Sequence, residues 1–243
     1  MVLAAGRGER LRPLTVRRPK ALCPVANVAL VDLALERVAP IAGTVAVNIH
    51  HHRAAMEEHL QGRAHCSVEE QMPLGTAGAL GLLRGWIDGR AVVVVNADAW
   101  CPGTLEPLVS GWDGERIRVL VAGEDRLGPR SQVAGALLPW ADVAALAPVP
   151  SGLWEVSWEA ALAAGRLESL RHDGPFVDCG TPADYLAANL LASHGDNVVG
   201  EEAVVEGRIE RTVVWSGSVV EAGEVLVDAV RYDGSRTVAV RRT

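Results

Sequence analysis

Lysine is nearly absent from this chain: of its 23 Lys and Arg residues, Lys20 alone is lysine. A chain so biased towards arginine keeps a lysine where a compact, three-donor ammonium on a flexible stem does what a planar guanidinium cannot, so Lys20 is the first functional candidate. Cysteine is also sparse, with Cys23, Cys66, Cys101 and Cys179 widely spaced and no C-x-x-C. That spacing excludes a zinc ribbon or a disulfide framework and predicts reduced thiols in a cytoplasmic protein. No apolar run approaches the roughly 18 residues that a membrane span needs, and no charged-then-apolar leader opens the sequence, so neither membrane nor export is expected. Excess positive charge is missing too. A net charge of −7 disfavours a nucleic-acid polymer as partner, except at a local basic site. Arginines 7, 10, 12, 17 and 18, with Lys20, make such a site, sized for one small anion.

What is present is alternation. TVAVNI (44–49), AVVVVN (91–96), IRVLVAG (117–123) and VAGALL (133–138) read as strands. RAAMEEHL (53–60), GTAGALGLLRGW (75–86) and LWEVSWEAALAAG (153–165) read as helices. Strands alternating with helices predict an α/β, Rossmann-like, doubly wound sheet, with the continuously apolar 91–96 run as a central strand buried on both faces. Trp154 and Trp158, four apart, are expected to pack in the core. Thr181-Pro182-Ala183-Asp184 carries the signature of a helix start, with the helix running to about His194. After Gly195 the texture changes. Val213, Val219 and Val225 are spaced by six, as are Val214, Val220 and Leu226, with interspersed glycines. This predicts a short left-handed hexapeptide β-helix of one or two coils, the alternative being a pair of hairpins. The expected division is 1–195 for the α/β domain and 196–243 for the tail.

Gly6-Arg7-Gly8-Glu9-Arg10 follows the strand-like VLAA, and glycines where a strand leaves the sheet free backbone N–H groups to cradle phosphate. Arg10 would add a fixed fork and Lys20 a movable point charge. The loop is neither a Walker loop, since no G-K-[ST] follows, nor a dinucleotide fingerprint, since the third glycine is missing. His50-His51-His52 reads as a turn between strand and helix rather than a metal tract, because consecutive side chains diverge.

The whole segment LAAGRGERLRPLT followed by PKALCPVAN resembles the opening of the sugar-1-phosphate nucleotidyltransferases. LGTAGAL (74–80), VNADAW (95–100) and GPFVDCGTPADYLAAN (174–189) continue that resemblance in family order. It covers about residues 1–195, and a hexapeptide-like tail is common in the family. The resemblance implies transfer of a nucleotidyl group from an NTP to a sugar 1-phosphate on a nucleotide-diphospho-sugar transferase type of domain, with release of pyrophosphate. It implies that Gly6, Gly8 and Arg10 hold the triphosphate, that Lys20 stabilises the crowded phosphates, and that Asp98 and Asp178 bind Mg²⁺. Gly75 would open a helix whose small residues admit base and ribose, Glu70 would stand near the base, and Glu155 near the sugar by position only.

Departures from the pattern are visible as well. Few residues precede L-A-A-G, so the first strand is expected to be short or its start incomplete. The 101–150 stretch is short and has no E-K-P motif, whose lysine often contacts sugar phosphate in relatives. Mannose 1-phosphate with GTP is the favoured substrate pair, with uridylyl or thymidylyl transfer as the alternative. A regulatory subunit that binds sugar nucleotide without turnover is a reading of a different class, and an acyltransferase on the hexapeptide tail is disfavoured by the few residues after 195. The raw end of an incomplete β-helix points to possible homo-oligomers through the tail.

Overall fold

A computed structural model describes residues 1–240. Residues 241–243 of the expected tail lie outside the described residues. The chain divides into two compact units, each made of pieces distant in sequence. The first takes residues 1–7, 33–97 and 101–176, and the second takes 8–32, 98–100 and 177–243.

The first unit is built on a seven-stranded sheet in the order 167–172, 117–122, 133–138, 92–96, 2–3, 46–49, 65–68. The strands Val2–Leu3, Ala46–Ile49, His65–Val68 and Val92–Asn96 run parallel, as do Ile117–Ala122 and Leu167–His172. Val133–Leu138 is antiparallel to both its neighbours, which makes the sheet mixed. The expected central strand is there: Val92, Val94 and Val95 are buried. Two strands escape the sequence reading, His65–Val68 and Leu167–His172. Each is rich in polar residues at an edge of the sheet, where period-two apolar patterning is weak.

Helix Gly75–Ile87 presents Ala77, Leu80, Leu83 and Ile87 to the core formed with Val94, Val119 and Leu138. Its other side is shaped by glycine. A Cβ at Gly75, Gly78 or Gly81 would lie 2.5, 2.2 or 2.4 Å from the carbonyl oxygens of Ser151, Val149 and Ala147. The helix thus admits the backbone of 147–151 at a distance no side chain would allow. Trp154 and Trp158 pack against the same core, as expected, but the turn that carries them is a π-helix, Trp154–Trp158.

In the second unit, helix Pro182–Ala192 begins as its sequence demands. Thr181 Oγ1 accepts from the Asp184 amide at 3.2 Å and Pro182 occupies the first turn. Between Val198 and Tyr232 the strand pairings are parallel. Val198 lies opposite Val213 and Val213 opposite Val230; Val204 lies opposite Val219; Arg208 lies opposite Val225. The offsets are therefore 15 and 17 residues. Arg211 and Asp228 both have positive φ, and the Arg211 guanidinium grips both Asp228 carboxylate oxygens at 2.7 and 2.8 Å. An antiparallel strand, Arg236–Ala239, closes the series on Val225–Tyr232.

Candidate active site

Three segments of the second unit converge on Lys20. The 3₁₀ turn Lys20–Leu22 carries the lysine. Strands Ala99–Trp100 and Val177–Asp178 pair antiparallel, with Asp178 opposite Ala99, and the Cys179 amide donates to the Asp98 carbonyl at 3.1 Å. This small ladder aligns two acids that are 80 residues apart in sequence. Lys20 Nζ donates to Asp98 Oδ2 and Asp178 Oδ1, at 3.0 Å each. The lysine side chain is 8% exposed, while those of Asp98 and Asp178 are 47% and 40% exposed, so the acids open to solvent and the lysine reaches them from inside. Burial alone would lower the Lys20 pKa. The charges and hydrogen bonds of the two aspartates outweigh burial and hold it above the ordinary lysine value.

Arg10 extends the cluster. Its Nη2 lies 3.5 Å from Asp178 Oδ2, and a Cβ at Gly180 would come within 2.9 Å of that nitrogen, so glycine at 180 makes room for the guanidinium. Gly8 is required twice. Its φ is +62°, and a Cβ there would press on Lys20 Cβ and Thr15 Cγ2, both at 3.1 Å. Thr15 Oγ1 donates to the Gly8 carbonyl at 2.7 Å and fixes the loop. Arg18, counted in the basic cluster by sequence, instead stacks over Trp215 at 4.2 Å. The Trp215 indole N–H donates to the Tyr185 hydroxyl at 2.9 Å, and that hydroxyl donates to the Pro24 carbonyl. The segment bearing Lys20 is thereby tied to helix Pro182–Ala192 and to the tail.

The first unit holds Gly6, Glu70, Gly75 and Glu155. A Cβ at Gly6 would meet open space. Glu70 is exposed and pairs with Arg53 at 2.9 Å. The buried acid is its neighbour Glu69, which sequence reasoning missed. Glu69 Oε1 accepts from Asn48 Nδ2 and Oε2 accepts from the Leu74 amide, both at 2.7 Å. Asn48 Oδ1 in turn accepts from the Ala4 amide at 2.7 Å. One buried pair thus fixes the chain just before Gly6 and just before Gly75. Strand alternation carries the signal for Glu69: Ser67 is buried, so Glu69 points inward and Glu70 outward. Gly75 faces Ser151, so its small size admits the chain's own backbone. Glu155 lines a cavity of about 250 Å³ together with Leu3, Thr76, Asn96, Leu153 and Trp158. The histidine tract is the expected turn, with His50 Nδ1 2.6 Å from the Glu69 carbonyl.

Among the described residues no group of three or more His, Cys, Asp or Glu is arranged to hold a metal, and no helix is long and apolar enough to cross a membrane. Two carboxylates do suit a hard divalent cation that completes its shell with phosphate and water. Asp98 and Asp178 are such a pair.

The sequence profile of the nucleotidyl transferase family matches residues 1–122. The chain is 30% identical to an N-acetylmuramate alpha-1-phosphate uridylyltransferase from Caulobacter vibrioides, over 77% of this chain and 94% of that protein. It is 26% identical to a mannose-1-phosphate guanylyltransferase from Mycobacterium tuberculosis, over 98% of this chain and 81% of that one. The solved structure of a mannose-1-phosphate geranyltransferase from Thermus thermophilus shares the fold at a TM-score of 0.72 and 20% identity, covering 98% of this chain and 93% of that one. The chain belongs to the nucleotidyl transferase family, among its sugar-1-phosphate nucleotidyltransferases.

Proposed function

We propose that the Lys20, Asp98 and Asp178 cluster is where this protein joins a nucleotidyl group to a sugar 1-phosphate. The observation that carries the reading is the convergence of Asp98 and Asp178 on Lys20 at 3.0 Å each. In the reaction a phosphate oxygen of the sugar 1-phosphate bonds to the α-phosphorus of the NTP, the bond from that phosphorus to the β-bridging oxygen breaks, and pyrophosphate leaves. Nucleophile and electrophile are both anionic, so charge neutralisation and alignment are what the protein must supply. The Lys20 ammonium, held on Asp98 and Asp178 at the end of a flexible stem, would exchange those partners for the phosphates. Arg10, 72% exposed, offers its fork to the triphosphate, and the backbone around Gly6 and Gly8 offers N–H groups.

Asp98 and Asp178 would hold Mg²⁺, which supplies charge neutralisation on phosphate oxygens. Glu155, in its cavity of about 250 Å³, is proposed as a sugar contact, and Gly75 and Glu70 as the base-side contacts. Two substrate pairs stand. Guanylyl transfer to mannose 1-phosphate is supported by the Mycobacterium relative, whose match spans nearly the whole chain. Uridylyl transfer is supported by the Caulobacter relative, whose identity is higher.

We further propose that 1–195 is the catalytic domain and that the stacked parallel strands after 196 form a short left-handed β-helix, with coils of 15 to 17 residues and a second copy covering its end. The protein is proposed to be cytoplasmic. Pyrophosphate release with Mg²⁺ across a grid of NTPs and sugar 1-phosphates tests the reading. Release in one cell names both substrates. Silence throughout, with nucleotide still bound, would favour the regulatory subunit.

A further inference from the structure

The ammonium of Lys20 already holds both aspartates that would bind a divalent cation. It donates to one oxygen of each acid at 3.0 Å. Together with Arg10, which faces Asp178, it balances the two carboxylates, so the cluster is neutral as it stands. A divalent cation taking carboxylate oxygens of the same acids while the ammonium stays would place two cations close together, and their repulsion weakens its hold. The absence of a side chain at Gly8 leaves room beside the base of the lysine, since a Cβ there would lie 3.1 Å from Lys20 Cβ, and the four-carbon stem has the rotatable bonds that let an ammonium exchange one anionic partner for another.

We infer that Lys20 is a built-in counter-ion that competes with the divalent cation for Asp98 and Asp178, so that the free protein holds the cation weakly and nucleotide phosphates admit it by drawing the ammonium away. This rests on the reading of Asp98 and Asp178 as the metal pair. The cation and the nucleotide then strengthen each other's binding, because each favours the arrangement in which Lys20 has left the acids. The scarcity of lysine fits this role. A guanidinium in its place would keep a planar, two-pronged grip on carboxylate and release it less readily.

The test uses Mn²⁺ alone, followed by electron paramagnetic resonance, on the wild-type protein, Lys20→Met, Lys20→Arg and Lys20→Met/Asp98→Asn. Lys20→Met is expected to bind Mn²⁺ about tenfold or more tightly than wild type, a factor in the usual range of coupling between sites. Lys20→Arg should stay weak, and the double variant should lose the gain. Equal affinity in wild type and Lys20→Met, both lost with Asp98→Asn, would overturn the counter-ion role and leave the metal pair standing. No Mn²⁺ bound by any variant, even with GTP or UTP present, would overturn both.

A second measurement needs no variant. Because Lys20 is the only lysine, ¹⁵Nζ-lysine labelling gives one side-chain ammonium signal. It should move little with Mg²⁺ alone and strongly with Mg²⁺ plus the productive NTP. A signal unmoved by both together would contradict the inference.

Discussion

The two units solve different problems with the same kind of chain. The sheet unit is held by apolar packing, with Leu80, Val94, Val119 and Leu138 in one core cluster and a glycine-faced helix that lets backbone lie on backbone. The second unit has an apolar core of its own, with Val213, Val214, Val220 and Val230 buried, and adds to it buried polar groups: Arg231, Asn189, Thr212 and Ser218 are all at or below 2% exposure. It gathers its charged cluster from three distant segments with long-range hydrogen bonds. The comparison teaches that both units rest on buried apolar residues, and that Lys20, Asp98 and Asp178 are brought together by specific polar contacts laid over that scaffold.

Several substitutions would break or sharpen that contrast. The largest stability effect is expected at Trp215, which is buried against Arg18, Tyr185 and Tyr232. Trp215→Ala should cost about 3–5 kcal/mol by denaturant unfolding, as for other buried aromatics. A loss below about 1 kcal/mol would show that the tail does not hold the Lys20 segment. Lys20→Met should lower kcat by about 10²–10³-fold, the cost of removing one preorganised donor from developing charge. Wild-type kcat in that variant would place the chemistry elsewhere.

In the sheet unit, Gly78→Ala puts a methyl 2.2 Å from the Val149 carbonyl oxygen. A destabilisation of about 1–3 kcal/mol is expected from this overpacking, and a stabilisation, as helix propensity alone would give, would refute the close approach. The last effect is absent near neutral pH and appears only in alkali. Burial pushes the Cys23 and Cys179 thiols up to about 12. The unfolded chain ionises them from about pH 8.5 while the folded chain keeps them protonated, so stability falls as pH rises from there towards 12. Each thiol contributes a slope approaching about 1.4 kcal/mol per pH unit. The Cys23→Ala/Cys179→Ala protein should show a shallower alkaline decline, and an unchanged slope would show that these thiols do not drive it.

Much of the sheet unit was legible because its central strands and helices carry strong periodicity. The 53–60 helix and the 133–138 strand appear at the expected bounds. The edge strands His65–Val68 and Leu167–His172 were not legible, since polar residues leave no period to read. The site divides in the same way. Lys20, Asp98, Asp178 and Arg10 were visible through rarity and motif, and the structure brings them together. Glu69 and Asn48 were hidden, because a buried acid and its exposed neighbour differ only in strand phase. The small residues of helix Gly75–Ile87 read in sequence as room for base and ribose; the side of Gly75, Gly78 and Gly81 where a Cβ would stand is filled by the chain's own 147–151 backbone. Arg18 looked like part of a phosphate site until Trp215, far along the chain, claimed it.

The most direct test of the central claim is pyrophosphate release by Asp98→Ala in the productive NTP and sugar 1-phosphate pair, with the melting temperature measured in parallel. Asp98 is half-exposed, so the fold should persist. The expected result is turnover reduced at least about 10³-fold with melting shifted by only a few degrees. Turnover within a few-fold of wild type would contradict the assignment of Asp98, Asp178 and Lys20 as the reacting centre.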